Sequence, residues 1–296
     1  MDTVLKVEDL NKHLNGFKLS NINLYLGKGK IVLLAGRNGA GKTKLLETIS
    51  CISPPTNGHI QFFNDTIFKN KVYKKNLQNN LKKVGLMLQN ERLFGSLTVE
   101  EIFETFSSLY NVQDYRQYFS ECDLIKESLD KRIDKLSEGK KQLTKFLLSI
   151  SHDPDLVLLD EPSTYLDDEV RKWLFKKVRE MKEQGKSFLI STNQIWEVGR
   201  ICDELIILEN GKIIDTISEF KKYYKGSVIE VPKSTMDINS ISGHISIKEK
   251  ENKKVIFTTY DIKDILDQVE LEEEEIIEIR KVRLEDFYNL KTEVST

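Results

Sequence analysis

Gly36-Arg37-Asn38-Gly39-Ala40-Gly41-Lys42-Thr43 fits the pattern Gly-x-x-x-x-Gly-Lys-Ser/Thr, which is typical of a loop that holds nucleotide phosphates. The apolar run Ile31–Ala35 before it indicates a buried strand, and residues 44–49 after it have helical spacing. A glycine-rich loop between a strand and a helix directs several backbone N–H groups at one point, near the positive end of the helix dipole. Lys42 would then contact the β- and γ-phosphates, and the Thr43 hydroxyl would bind Mg²⁺. The stretch therefore predicts a nucleotide site in an α/β fold.

Composition and charge argue against several classes of protein. The chain has 296 residues and a net charge of −2, so no overall basic field points to a nucleic-acid partner. Cys51, Cys122 and Cys202 lie far apart, so neither a disulfide framework nor a zinc site is expected. The first residues lack the apolar core of a signal peptide, and no apolar run reaches the about 20 residues that a membrane-spanning helix needs. We therefore expect a cytoplasmic protein that reaches a membrane only through a partner.

Short apolar runs divide the chain into strands and helices. Strand-like runs in the first two hundred residues are 4–7, 17–19, 22–26, two pieces of 58–68 around Asn64-Asp65, 84–88, 156–159 and 187–191. The run 205–208 leads into Asn210-Gly211, which predicts a hairpin turn. Between these strands, residues 99–150 switch to helical spacing. This alternation predicts an α/β domain over residues 1–225, with a helical part at about 90–150.

The pattern of apolar runs changes after about residue 225. The strand-like runs there are 227–231, 245–247, 255–258 and 276–279. Helical patterns follow over 262–269 and near 284–290. We therefore predict a small α+β accessory domain over residues 226–296.

Asp160-Glu161 closes the apolar run 156–159. Beside a phosphate loop, Asp160 can hold Mg²⁺ directly or through water, and Glu161 can orient and deprotonate an attacking water. The alternative is a strand that simply ends in surface acids.

Further stretches follow the phosphate loop in a fixed order. They are Gln89 after a strand, Leu136-Ser137-Glu138-Gly139-Lys140, Asp160-Glu161-Pro162, and Ser163-Thr164-Tyr165-Leu166-Asp167. In this order the chain resembles the ATP-binding subunit of an ABC transporter over about residues 3–225. The resemblance implies a P-loop NTPase fold, in which a RecA-like core carries an antiparallel β subdomain and a helical signature subdomain. The α+β extension at 226–296 would follow it.

The resemblance also implies roles for particular residues. Two such subunits would clamp two ATP molecules head to tail, and Ser137 and Gly139 of one would contact the γ-phosphate held by the other. Ser137 equally suits the N-cap of a helix starting near Glu138, whose free N–H groups favour an anion. Gln89 would touch Mg²⁺ or the attacking water and relay the nucleotide state to the membrane partner. A solvent-facing glutamine is the alternative for Gln89.

The expected site residues form three sets. The ATP-binding set is Gly36, Arg37, Asn38, Gly39, Ala40, Gly41, Lys42, Thr43, Lys44, Leu14, Ser137 and Gly139. The Mg²⁺ ligands are Thr43, Gln89 and Asp160, and the catalytic set is Glu161, Gln89 and Asn193. Leu14 takes the place where the family often stacks an aromatic residue on adenine, and Lys44 would add charge near the α-phosphate.

Two elements depart from the family's pattern. Asn193 stands where the family has a switch histidine after a strand ending in Ser-Thr. Asn193 can donate a hydrogen bond to the γ-phosphate but cannot carry a charge, so we expect slower hydrolysis. Glu138 and Lys140 replace Gly and Gln of the signature, and Glu138 brings a carboxylate close to an anion unless it points away.

The leading hypothesis is an ATPase subunit that powers an exporter of peptides or drugs and lies on the inner face of the cell membrane through an integral membrane permease. Residues 283–287 resemble a tail common in such exporter ATPases. The alternatives are an importer ATPase, or a soluble or regulatory ABC ATPase with weak hydrolysis. The second ATPase subunit is expected to be another copy of the chain, with a heterodimer left open.

Overall fold

The computed structural model describes residues 2–14, 16–69, 71–89, 93–112, 115–116, 122–192, 198–218, 220, 227–232, 244–249, 253–258, 278–281 and 286. The chain forms two compact units. The first comprises Met1–Asn193 and Ile206–Ile214, and the second comprises Gln194–Leu205 and Asp215–Thr296. The predicted division at residue 225 stays a prediction.

The strands, in chain order, are β1 Thr3–Leu14, β2 Phe17–Gly27, β3 Ile31–Ala35, β4 Asn57–Phe62, β5 Asp65–Lys69, β6 Val72–Tyr73, β7 Val84–Met87, β8 Leu156–Asp160, β9 Ser187–Thr192, β10 Glu204–Glu209, β11 Lys212–Ile217, β12 Ser227–Pro232, β13 His244–Glu249, β14 Lys253–Thr258 and β15 Glu278–Lys281. The α-helices are α1 Lys42–Ile49, α2 Leu77–Leu81, α3 Val99–Tyr110, α4 Asp123–Lys126, α5 Glu138–Ile150 and α6 Asp168–Glu183. A 3-10 turn spans Ile133–Lys135.

A six-stranded sheet of order β11-β10-β3-β9-β8-β7 carries the phosphate loop and the acidic pair. Strands β3, β9, β8 and β7 pair in parallel. All residues of β3, β8 and β9 are buried, which explains their continuous apolar runs. Strand β9 pairs with β3 on one side and with β8 on the other, and the pairing aligns their carboxyl ends. The ends of these three strands therefore lie at one edge of the sheet.

The second sheet has the order β2-β1-β4-β5-β6 and is antiparallel. Its first two strands are longer than the separate short runs at 4–7, 17–19 and 22–26 predict. Asp9 and Asn21 adopt positive φ of 48° and 51°, and the register shifts next to each. These bulges let the ladder continue past the polar breaks in the sequence.

Between β7 and β8 the described residues form α3, α4, α5 and the 3-10 turn, which agrees with the helical spacing of residues 99–150. A capping box starts α3, because Thr98 Oγ1 accepts from Glu101 N at 3.2 Å and Glu101 Oε2 accepts from Thr98 N at 2.8 Å. Val99, Ile102 and Phe103 are buried on one face of this helix. Among the described residues, no helix is long and apolar enough to cross a membrane.

The second unit contains a four-stranded sheet of order β13-β14-β12-β15. The strands predicted at 227–231, 245–247 and 255–258 are confirmed by β12, β13 and β14. Buried Glu230 on β12 pairs with Lys253, and Arg280 donates to both carboxylate oxygens of Asp286 at 2.6 and 2.7 Å. The helices predicted at 262–269 and 284–290 lie outside the described residues, apart from Asp286, which is helical.

Candidate active site

The phosphate loop leads from β3 into α1, where the sequence places it. Gly39 and Gly41 adopt positive φ of 83° and 107°, a conformation that favours glycine. Ala40 N donates to Arg37 O at 3.1 Å, which closes a tight turn, and Leu45 N donates to Gly41 O at 2.8 Å as α1 begins. A Cβ at Gly41 would lie 2.4 Å from the end of the Phe17 ring, so a larger residue there would also have to displace Phe17.

The Asn210-Gly211 turn holds the loop from the outside. Gly211 N donates to Ala40 O at 2.9 Å, and Ser20 N donates to Gly211 O at the same distance. A Cβ on Gly211 would lie 1.9 Å from Lys18 O. The turn between β10 and β11 therefore supports the phosphate loop as well as closing a hairpin.

Lys42 is buried at the first turn of α1. Its ammonium donates to Gly36 O at 2.7 Å and lies 3.7 Å from Glu161 Oε1. Burial lowers the pKa of Lys42, while the carboxylates of Glu161 and Asp160 oppose that shift. The geometry thus brings the phosphate-loop lysine to Glu161, and the charge of Asp160 acts on the same ammonium.

Asp160 and Glu161 lie at the end of β8, beside the end of β9. Asp160 is fully buried, and its Oδ1 accepts a hydrogen bond from Ser191 Oγ. Among the described residues, Asp160 Oδ2 has no hydrogen-bond partner. A buried carboxylate oxygen in this state is costly unless a cation or water completes its shell.

The donor set fits Mg²⁺. This ion prefers oxygen ligands and usually keeps several waters, with one or two carboxylates and the substrate phosphates completing its shell. Asp160 Oδ2 offers an unsatisfied oxygen, and half-buried Thr43 carries a hydroxyl at the start of α1. The described residues contain no group of three or more His, Cys, Asp or Glu side chains that could hold a metal ion. Mg²⁺ at this site would therefore need ligands from water and from the nucleotide phosphates.

Gln89 follows β7 and is exposed. Its backbone carbonyl accepts from Lys145 Nζ at 3.4 Å. It lines a cleft together with Glu138, Gln142 and Tyr165. The structure thus places Gln89 next to the start of α5.

Ser137 caps α5, as the sequence predicts. Its Oγ accepts from Lys140 N at 3.3 Å. Glu138 is exposed, and its carboxylate pairs with Lys141 at 2.8 Å on the next turn of the same helix. The carboxylate that departs from the family's signature is therefore directed along α5.

Gly139 packs against the segment that follows Glu161. A Cβ at this position would lie 2.7 Å from Tyr165 O. Gly139 therefore has a packing role within its own chain, beside the contact with a second subunit that the resemblance implies. Tyr165 adopts a φ of 67° and is 70% exposed.

The remaining predicted ATP contacts differ in their surroundings. Leu14 is half-buried and lines an open cleft with His13, Phe17 and Gly39, which brings it next to the phosphate loop. Lys44 is partly exposed, and its ammonium lies 2.8 Å from Glu47 Oε2 one turn further along α1. Asn193 lies outside the described residues, directly after the end of β9.

Sequence reasoning missed two residues that touch the acidic pair. Ser191 Oγ reaches both Asp160 and, at 3.2 Å, Glu161 N. Gln142 donates from Nε2 to Glu161 O at 2.9 Å. One available signal for Gln142 was its place on the buried face of α5, three residues after Gly139 and four before the buried Phe146.

Comparisons with known proteins agree with this geometry. Residues 19–164 match the ABC transporter family. A bacitracin transport ATP-binding protein of Enterococcus faecalis is 29% identical over 75% of this chain and 72% of its own length. A galactose/methyl galactoside import ATP-binding protein of Treponema denticola is 28% identical over 72% of this chain and 44% of its own length.

Solved structures show the same fold. A bacterial ABC transporter cassette, solved as a dimer, superposes with a TM-score of 0.65 at 22% identity, over 72% of this chain and 98% of that one. The predicted fold class, a P-loop NTPase of α/β type, is confirmed.

The Asp160–Ser191 hydrogen bond generates a stability prediction. Ser191→Ala removes the donor to Asp160 Oδ1 and should lower the free energy of unfolding by about 2 kcal/mol or more. The matched control is Ser151→Ala, which removes a buried hydroxyl that donates only to Leu148 O, a carbonyl already bonded to Ser151 N. That variant should lose less than about 1 kcal/mol. Urea unfolding measures both, and equal losses would contradict the prediction.

Proposed function

We propose that this chain, which carries the ATP-binding domain of the ABC transporter family, powers the export of peptides or drugs through a separate integral membrane permease. The chain is an ABC-type ATPase subunit that powers a transporter. Export, the cargo, the Mg²⁺ ion and the partners are what we add to that description.

The observation that carries the proposal is the meeting of Lys42, Asp160 and Glu161 at one edge of the sheet. Lys42 lies 3.7 Å from Glu161 Oε1, and both side chains are largely buried. A buried ammonium beside two carboxylates suits a site whose ligand brings several negative charges. ATP would add the phosphate charge that Lys42 balances.

Hydrolysis follows from the roles of these side chains. Lys42 would bind the β- and γ-phosphates, and Glu161 would orient a water and accept its proton as the water attacks the γ-phosphorus. The bond from that phosphorus to the β–γ bridging oxygen breaks in the same step, and ADP leaves. Asp160 and Thr43 would hold Mg²⁺, which when bound would stabilise charge on the β- and γ-phosphate oxygens. Ser191 keeps Asp160 in place through its hydroxyl.

A second ATPase subunit would complete the site. Ser137 starts a helix of 13 residues, so its end offers backbone N–H groups to an anion. The same-fold cassette solved as a dimer supports a dimer of such chains. In that dimer, as the family resemblance implies, each subunit would supply this helix end to the other's ATP. Another copy of this chain is the simplest second subunit, and the chain would lie in the cytoplasm against the permease.

Export is favoured by the tail at residues 283–287, which resembles that of exporter ATPases. The bacitracin transport relative supports peptide or drug cargo, while the galactose import relative makes import the alternative. An ABC ATPase with regulatory function and weak hydrolysis is the second alternative, and Asn193 favours it.

The central prediction concerns Glu161. Glu161→Gln keeps the size of the side chain but removes the base, so ATP turnover by the purified chain should fall by about 100-fold or more. Binding of ATP should persist, because Lys42 and the phosphate loop are unchanged. The measurement is steady-state phosphate release, together with ATP binding by calorimetry.

The control for this assay is the same substitution at exposed Glu183, at the end of α6. Glu183→Gln should hydrolyse ATP at the wild-type rate. If wild type and Glu161→Gln turn over ATP equally slowly, the regulatory alternative replaces the proposal.

A second prediction concerns the switch position. Asn193→His introduces a side chain that donates a hydrogen bond to the γ-phosphate and can carry a charge, so turnover should rise about tenfold. Asn193→Gln extends the amide without adding a titratable group and serves as the control. An unchanged rate in Asn193→His would show that the asparagine does not limit hydrolysis.

A third prediction concerns the partner. Affinity capture of the full chain from detergent-solubilised cells should recover one polytopic membrane protein in a fixed ratio. Mass spectrometry identifies it, and a free epitope tag is the control. Recovery of ribosomes or DNA-bound proteins without a membrane protein would contradict the transporter assignment.

A further inference from the structure

Helix α5 contacts the backbone of Glu161, the proposed catalytic base. Gln142, 5% exposed, donates from Nε2 to the backbone carbonyl of Glu161 at 2.9 Å. A buried amide that meets its partner at this distance makes a well-formed hydrogen bond. The contact joins the start of the second turn of α5 to the residue that follows β8.

The backbone of Glu161 is in a conformation that needs support. Its φ is 50°, in the left-handed region that few residues other than glycine adopt. Such residues keep this conformation only when their surroundings hold it. On one side Glu161 N donates to Ser191 O at 3.1 Å and approaches Ser191 Oγ at 3.2 Å. On the other side its carbonyl accepts from Gln142.

A second contact ties α5 to the same segment. Gly139 packs so closely on Tyr165 O that a Cβ there would lie 2.7 Å from it. Leu166 O accepts from Arg171 Nη2 at 3.0 Å, which fixes the end of the segment to α6. The chain from Glu161 to Leu166 therefore lies between two helices, with Gln142 at its catalytic end.

We propose that Gln142 is a positioning residue for Glu161. Its amide holds the Glu161 peptide so that the side chain points to Lys42, 3.7 Å away. This inference rests on the proposed function, in which Glu161 is the base for ATP hydrolysis.

The test variant is Gln142→Met, which keeps the length and burial of the side chain but cannot donate. Thr164 N also donates to Glu161 O, at 3.3 Å, so this carbonyl keeps a partner and the variant should fold. A shift of about 1 Å in a catalytic group can cost about 100-fold in rate. We therefore expect kcat to fall about tenfold or more, while KM for ATP changes less than about threefold.

The matched control lies two residues further along the same helix. Thr144 is fully buried, and its hydroxyl donates only to Lys140 O at 2.8 Å within α5. Thr144→Val should keep kcat within about twofold of wild type. Equal losses in Gln142→Met and Thr144→Val would show general damage to α5 and overturn the proposal. Circular dichroism confirms folding, and Gln142→Asn, whose amide is too short to reach Glu161 O, replaces the first variant if it does not fold.

A double-mutant cycle separates positioning from a structural role. If Gln142 acts through the Glu161 side chain, Gln142→Met should not lower the residual rate of Glu161→Gln further. A reduction by the same factor as in the wild-type background would overturn the proposal. If the wild-type chain releases no phosphate from ATP at all, the proposed function itself fails, which is a different result from unchanged kcat in Gln142→Met.

Discussion

The aligned pairing of the parallel strands β3, β9 and β8 determines where the candidate active site lies. Ala35 pairs with Thr192, and Asp160 pairs with Ser191, so β3, β9 and β8 end at one height. The residues that follow these strands must meet at a single edge, the position where open α/β sheets bind ligands. Lys42 enters that edge from α1 and brings its ammonium to Glu161. Burial of the three strands keeps this arrangement rigid.

The local patterns predicted the main fold and the residues that follow its strands. The phosphate loop could be predicted because glycine spacing, an apolar run and a helical pattern occur together. The structure has it between β3 and α1, as the sequence predicts. Asp160-Glu161 was readable because two acids end an apolar run. The fully buried strands have a continuous apolar pattern that could be recognised. The bulge at Asp9 instead shortened the apparent run of β1, and the bulge at Asn21 divided β2 into two apparent pieces.

Contacts between distant segments could not be read from these patterns. Ser191 and Gln142 are 31 and 19 residues from the acids that they contact. Helical spacing marks Gln142 as a residue of a buried face, but no local pattern shows which acid either residue contacts, because that depends on strand order and on how α5 packs. Gly211 is similar, since its turn was evident but its hydrogen bond to Ala40 was not. Supporting residues of this kind become visible only when tertiary structure brings the segments together.

The two charge substitutions near the predicted phosphate contacts have a local explanation. Lys44 pairs with Glu47 and Glu138 pairs with Lys141, each at 2.8 Å and each three residues along its own helix. Surface pairs at this spacing contribute only about 0–1 kcal/mol, so they do not explain why either helix forms. Each ion pair instead orients its charged side chain along the helix. The backbone N–H groups at the start of the helix therefore remain accessible to an anion. An anion at the start of α5 would therefore meet Ser137 and the peptide dipoles before it meets the carboxylate of Glu138.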